Sequence, residues 1–528
     1  ICLLMTAVRT RFAPSPTGYM HIGGMRTALF NWLWARHNGG QFILRIDDTD
    51  QQRNVESALQ PILRAFRWLS LNWDEGPEVG GDCGPYFQSQ RGDIYRASVD
   101  ELLKAGLAYR DFTSPEQTRI EREAAEKAKQ NYLNNRDSQE FSESTIREKI
   151  DSGEPHVIRF LMPRGENRRL KLTDLILGDV EWNVSEMPDP VIMRSDGSAL
   201  YNMATVVDDA GMQISHVIRA QEHLSNTPIQ ILLHEALGNT LPEYAHIPYV
   251  AAHGSKEKLS KREKKIEKYR NSPQFKKLFD AADEVFPKLG LGSSETLNPV
   301  MVEYYEKMGY LPAAVLNALA RLGWSLDDKT EILSLDEVVS HFTLDRVIKS
   351  PAGLDPDKLL SFQTHWIGQL SVEEKVAGVM PFLIQAGYAP EPPADATVAF
   401  VTRLVRVLDD RRKLFRDALG YEEYFVAAEG LCYIEPDFNK RIRQPDDAAD
   451  LLRRFRAGLA EVESFDAATL DRLLHDFVAQ EGIKIGQIIH AIRIAVTGKA
   501  TGPGMFDCLE LLGRDRVLNR IDRALTFV

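Results

Sequence analysis

Apolar and polar positions change their period several times along the chain. Val8 to Phe12 reads as a short strand, and Met25, Leu29, Trp32 and Leu33 then recur at helical spacing until Asn38-Gly39-Gly40 supplies a stop. Gln41 to Ile46 reads as a second buried strand, so strand, helix and strand form a βαβ unit and predict a parallel sheet. Val55 to Leu69 is an amphipathic helix, Gly76 to Pro85 a Gly/Pro-rich loop, and Arg91 to Gly106 another helix. Between Ser114 and Ser152 apolar residues are sparse, which predicts helices on a solvated surface. His156 to Met162, Val180 to Val184 and Val191 to Arg194 are strand-like runs parted by turn residues such as Arg164-Gly165 and Ser195-Asp196-Gly197. They predict an α+β insertion within the sheet domain. The α/β texture returns with Ala204 to Val207 and His216 to Ile218 as strands, the helix Thr227 to Leu237, and the strand Pro248 to Ala252. Glu263 to Pro299 carries a basic helical start and the stretch LGLGSSETLNP, the texture of an insert or linker. After Val302 the chain is densely helical through Ala313 to Leu322, Leu335 to His341, Pro356 to Leu360 and most of Val372 to Leu525.

A chain of 528 residues predicts about three or four domains. Hydrophobic and charged contents of 44% and 27% are those of a globular protein with a sizeable core. The formal net charge of -12 requires any nucleic-acid binding to use local basic patches. Cys2, Cys83, Cys432 and Cys508 are scattered without a CxxC pair, which argues against a disulfide framework and fits a reducing cytoplasm. No apolar run approaches a membrane span, and ICLLMTAV is too short for a signal peptide, so Met5 is the expected natural start.

Four stretches carry candidate chemistry. In RFAPSPTGYMHIGG, from Arg11 to Gly24, a strand runs through a Pro/Gly/Ser turn into a helix whose first turn holds His21, Ile22, Gly23 and Gly24. Unpaired N–H groups and the positive dipole end suit a phosphate there, and the glycines open the backbone to a ring or phosphate. The alternative is an ordinary strand-turn-helix with a surface histidine. The acidic turn Asp47-Asp48-Thr49-Asp50 follows the second strand, where Asp48 and Asp50 either face a crevice or cap the helix beginning near Asn54. Lys258 and Lys261 bracket Leu259-Ser260, so one loop can bring both ammonium groups onto a polyphosphate, or form a solvated basic run. Arg403, Arg406, Arg411, Arg412 and Arg416 either meet RNA phosphates or solubilise a helical face.

Taken together, RFAPSPTGYMHIGG, RIDDTD, YNMATVVDD, HVIRAQEHLSNTP and KLSKR, in that order, resemble the bacterial-type glutamyl-tRNA synthetases. The resemblance runs from about Val8 to the C-terminus. It implies a class I aminoacyl-tRNA synthetase of α/β fold: a Rossmann-type parallel-sheet catalytic domain with an α+β insertion, followed by an all-α C-terminal region. The implied domains are catalytic halves at 1–110 and 204–262, an acceptor-stem-binding insertion at 111–203, a stem-contact region at 263–370 with an unusual insert at about 263–300, and a helical anticodon-binding domain at 371–528.

The implied chemistry joins glutamate to ATP-Mg2+ as glutamyl-adenylate and then transfers the acyl group to the terminal adenosine of tRNA. By resemblance the catalytic set is His21, Gly24, Lys258 and Lys261. ATP falls to His21, Gly23, Gly24, Glu222, Lys258, Leu259, Ser260, Lys261 and Arg262. Glutamate falls to Arg11 against its side-chain carboxylate, Arg219 against its α-carboxylate, and Ala13, Ser15, Asp47, Tyr201 and Thr205 around it. Asp47 stands where the family usually has Glu, so its contact to the substrate amino group is expected through water; Gln221 also replaces an acidic residue. Asp111 and Thr113 occupy positions where some relatives carry zinc cysteines, so no metal is expected there. The resemblance further implies a cytoplasmic monomer. Its rivals are a glutaminyl-tRNA synthetase, which would end in β-barrels, a shorter base-modifying paralogue, and a non-catalytic RNA-binding relative.

Overall fold

The computed structural model describes residues 7–49, 56–164, 167–408 and 411–528. The expected start at Met5, the residues Asp50 and Asn54, and Gly165 of one expected turn lie outside them. The chain divides into two compact units, one of Ile1–Phe275, Asn298–Glu306 and Pro312–Phe362, the other of Lys276–Leu297, Lys307–Leu311 and Gln363–Val528.

The first unit opens with β1 (Arg9–Phe12), α1 (Ile22–His37) and β2 (Gln41–Leu44), and β1 pairs parallel to β2 from Arg9↔Gln41 to Phe12↔Leu44. Buried polar residues pin the helix to the sheet. Thr10 Oγ1 donates to Asn31 O at 2.9 Å, and Asn31 Nδ2 donates to Ile218 O at 2.8 Å. Next come α2 (Leu59–Trp68) and α3 (Gly92–Lys104). The expected insertion contains β3 (Ala108–Asp111), α4 (Pro115–Lys127), α5 (Glu143–Asp151), β4 (Val157–Phe160), β5 (Arg169–Asp174), β6 (Gly178–Asn183) and β7 (Val191–Met193). β3, β4 and β7 form an antiparallel sheet and β5–β6 a hairpin, while α4 and α5 bury no residue, as their polar sequence requires.

The sheet resumes with α6 (Tyr201–Gly211), β8 (His216–Ala220), α7 (Thr227–Ala236) and β9 (Glu243–Ile247), and its order is β2-β1-β8-β9, all parallel. Ala204 to Val207, expected as a strand, lies inside α6. Met203 to Asp209 are all buried, and a helix covered on most sides shows the same apolar run as a buried strand. β10 (Val250–Ala252) pairs with β11 (Ala352–Leu354), a short strand absent from the helical reading of this region. The segment expected as an insert or linker holds α8 (Glu263–Arg270), with Ile266 and Tyr269 buried, and the helix Pro273–Lys288, whose residues from Lys276 belong to the second unit and include buried Phe279 and Phe286.

Among the described residues of the second unit the regular elements are helices, including Val372–Gln385, Asp395–Val407, Ala448–Glu461, Ala467–Glu481, Ile489–Thr497 and Arg514–Leu525. Leu452, Phe455, Leu474, Ile492 and Ile521 centre one core. Buried Arg520 fastens it by donating to the carbonyls of Val496, Glu423 and Val426 at 2.6, 2.6 and 2.8 Å. The five arginines read as one face do not share one environment: Arg403, Arg406 and Arg411 are exposed, whereas Arg416 is half-buried and Arg412 buried.

Candidate active site

In the order β2-β1-β8-β9 the chain leaves β1 toward β2 on one side and returns as β8 on the other, so a crevice opens beyond the carboxyl ends of β1 and β8. A cleft of about 890 Å³ lies there. The residues assigned by resemblance to catalysis, ATP and glutamate all line it: Arg11, Ala13, Ser15, His21, Gly23, Gly24, Asp47, Tyr201, Thr205, Arg219, Glu222, Lys258, Leu259, Ser260, Lys261 and Arg262; Asp48 and Gln221 do not.

His21 is the N-cap of α1, and its Nδ1 accepts from Gly23 N at 2.9 Å. Ile22 N donates to Val300 O at 2.9 Å, so the helix start offers an incoming anion fewer N–H groups than a bare terminus. A neutral ring accepting at Nδ1 carries its proton on Nε2, and that buried nitrogen has no partner among the described residues. Burial, then Lys258 and Lys261, hold the His21 pKa down at about 4. His21 is therefore a neutral donor near pH 7. Between about pH 6.5 and 4 the unfolded chain binds this proton and the native chain does not, so stability falls as pH falls. In His21→Asn, where the amide oxygen can keep the cap, that component is expected to vanish. Urea unfolding at pH 7.5 and 5 should show the wild type losing about 1–2 kcal/mol more than the variant.

The lysine loop is anchored rather than freely solvated. Leu259 is buried and its N–H donates to Val250 O at 2.7 Å, Ala251 bridges Lys258, and Ser260 N donates to Tyr269 OH at 3.2 Å. Lys258 pairs with Glu222, and Lys261 Nζ donates to Thr17 O at 3.2 Å, across the cleft from its own strand.

Beneath the cleft lies a buried ionic network. Arg11 meets Asp209 at 3.1 and 3.2 Å, Arg45 meets Asp209 at 2.7 Å and Asp47 at 2.8 Å, and Arg91 meets Asp208 at 2.6 Å. Burial opposes the charge on Asp209, but Arg11 and Arg45 outweigh it and hold its pKa at about 2. Burial raises Asp47 to about 6 against the pull of Arg45. The short Asp47 side chain thus turns back onto its own strand's arginine. Asp48 accepts from Ser89 N and Oγ at 2.8 and 2.7 Å, a tie to the loop before α3.

Arg219 is built differently. Its three donor nitrogens meet the neutral acceptors His246 Nε2 at 3.1 Å, Gln230 Oε1 at 2.7 Å and Thr227 Oγ1 at 2.8 Å. Burial lowers its pKa, and the charge it keeps draws an anion to the cleft wall. Tyr201 OH lies 3.3 Å from His223 Nδ1, and Thr205 Oγ1 is buried without a partner among the described residues.

Sequence reasoning passed over Arg45, Asp208, Asp209, His223, Arg26 and Tyr249. Arg45 interrupts the apolar strand QFILRI and Asp208-Asp209 follow MATVV, and charges in such runs are buried only when paired, which was the available signal. Asp111 meets Arg159 at 2.5 Å and accepts from Thr113 N at 3.0 Å.

Comparison with known proteins shows the family. Residues 7–279 and 295–361 match the family model of the class I tRNA synthetases (E and Q), catalytic domain, and residues 374–525 match an anticodon binding domain. A glutamate--tRNA ligase of Moorella thermoacetica is 38% identical over 99% of both chains. A second, from Syntrophomonas wolfei, is 39% identical over 99% of this chain and 97% of its own. The crystal structure of a glutamate tRNA ligase from Elizabethkingia meningosepticum in complex with its amino acid superposes with a TM-score of 0.82, at 31% identity over 99% of both chains.

Proposed function

The chain belongs to the class I tRNA synthetases of the glutamate and glutamine branch and ligates glutamate to tRNA, and we propose that it does so in the cleft beyond β1 and β8. The observation that carries the site reading is the convergence of the residues from five separate sequence motifs on that one cleft.

Glutamate's α-carboxylate attacks the α-phosphorus of ATP, the bond to the bridging oxygen breaks, and pyrophosphate leaves. The terminal adenosine hydroxyl of tRNA then attacks the acyl carbon and AMP leaves. No enzyme nucleophile is needed, so catalysis consists of positioning and charge stabilisation. His21 Nε2–H and the opened backbone at Gly23 and Gly24 are proposed to receive the nucleotide. Lys258 would exchange Glu222 for phosphate, and Lys261 would meet the charge that develops on the leaving group. Leu259, Ser260 and Arg262 complete that wall. Among the described residues there is no group of three or more His, Cys, Asp or Glu suited to hold a metal ion. Mg2+ is proposed as part of the substrate, carried on the ATP phosphates.

Arg219, whose charge has no carboxylate partner among the described residues, is proposed to hold the α-carboxylate, and Arg11 the side-chain carboxylate of glutamate. Ala13, Ser15, Tyr201 and Thr205 would shape the pocket, with Asp47 reaching the amino group through water. Residues 111–203 are proposed to bind the acceptor stem, 263–370 to contact the stem, and 371–528 to bind the anticodon. No helix among the described residues is long and apolar enough to cross a membrane, and a cytoplasmic monomer is the proposed state.

ATP–pyrophosphate exchange with glutamate and glutamine side by side, each with and without tRNA, tests the reading. Exchange with glutamate in the presence of tRNA, and none with glutamine, is the expected result. Exchange with glutamine alone would assign the sister activity, and none with either would assign a binding protein.

A further inference from the structure

Behind Arg219 lies a buried chain of hydrogen bonds that does not line the cleft. His246 on β9 and Asp174 at the end of β5 are both fully or almost fully buried. Asp174 Oδ2 lies 2.6 Å from His246 Nδ1. The same carboxylate accepts from the backbone N–H groups of Ile176 at 3.0 Å, Leu177 at 2.9 Å and His246 at 3.1 Å. His246 Nε2 in turn faces Arg219 Nε at 3.1 Å and Thr227 Oγ1 at 3.1 Å.

Only one protonation pattern satisfies these contacts. Arg219 Nε carries a hydrogen and can only donate, so His246 Nε2 must accept, and the ring proton must sit on Nδ1 facing an ionised Asp174. A second proton on the ring would set an N–H against the guanidinium and place two cations in contact. With Nη1 held by Gln230 and Nη2 by Thr227, the Nε contact completes a three-point fixation of the guanidinium plane. We infer that Asp174 and His246 are positioning residues for glutamate: Asp174 sets the His246 tautomer, and His246 orients Arg219 toward the substrate α-carboxylate.

The inference rests on the proposed role of Arg219, and the test separates the two. The variants are Asp174→Asn, His246→Leu, His246→Gln and Arg219→Ala, each assayed in aminoacylation for the KM of glutamate, ATP and tRNA. Asn at position 174 can present an N–H to Nδ1 and so favour the wrong tautomer. Leu at 246 removes the acceptor, and the Gln amide oxygen can restore it. Asp174→Asn and His246→Leu are expected to raise the glutamate KM about 10- to 100-fold, with the ATP and tRNA values within about twofold, and His246→Gln to stay near wild type. If Arg219→Ala raises the glutamate KM while Asp174→Asn and His246→Leu do not, the positioning chain is overturned and the role of Arg219 stands. If Arg219→Ala leaves it unchanged, the reading of Arg219 fails and the inference with it. A parallel rise in all three KM values would show a merely structural role and overturn the inference. Should Asp174→Asn not fold, the His246→Leu and His246→Gln pair decides the matter by loss and rescue.

Discussion

Replacing Lys261 with Ala is expected to lower the rate of glutamyl-adenylate formation by about 10²- to 10³-fold while tRNA affinity changes little. Among the described residues the Lys261 ammonium group donates one hydrogen bond, to the carbonyl of Thr17 in the turn between β1 and α1. Its ammonium group is thereby held on the side of the cleft where His21 and Gly24 would receive phosphate. Lys258 is already neutralised by Glu222, so Lys261 is the less compensated cation of the pair. Single-turnover measurement of adenylate formation, beside a tRNA binding isotherm, checks the prediction. A collapse of tRNA binding with an unchanged chemical step would mark the loop as a basic surface patch.

Arg11→Ala is expected to have two effects at once, loss of glutamate-dependent exchange and a fall in stability of about 3–5 kcal/mol. Arg11 is buried and binds both oxygens of Asp209, so its removal strands a carboxylate in the protein interior with Arg45 as its remaining cation. The two effects separate in Arg11→Ala/Asp209→Asn. Neutralising the stranded carboxylate should recover part of the denaturation midpoint, while exchange activity stays absent. Recovery of activity together with stability would show that Arg11 serves the fold and not the substrate.

Much of the first unit was legible because its signals are local. The turn-and-helix of RFAPSPTGYMHIGG and the lysine pair of KLSKR sit within a few residues of the strands that present them. What escaped was carried by contacts between distant residues. The partners Arg11 and Asp209 are 198 positions apart, and Asp174 and His246 are 72 apart, on elements whose adjacency only the folded sheet reveals. Ala204 to Val207 was misread because burial on all sides erases the period that separates helix from strand. In the stretch from Glu263 to Pro299 the glycines and charges dominate, so the buried aromatic residues among them were not singled out. Asp47 was assigned by position, and its buried contact with Arg45, two positions earlier, was not drawn from the sequence.

The seating of Leu259 against Val250 bears on how tightly a nucleotide can be held. A loop that must first be ordered takes that lost entropy out of the binding free energy. Here the backbone between the two lysines is ordered in advance, so the closure on a polyphosphate proposed above would require side-chain rotation alone. In the proposed site the clamp is thus preorganised, and the half-exposed ion pair between Lys258 and Glu222, worth about 1 kcal/mol or less, is a small cost to its engagement.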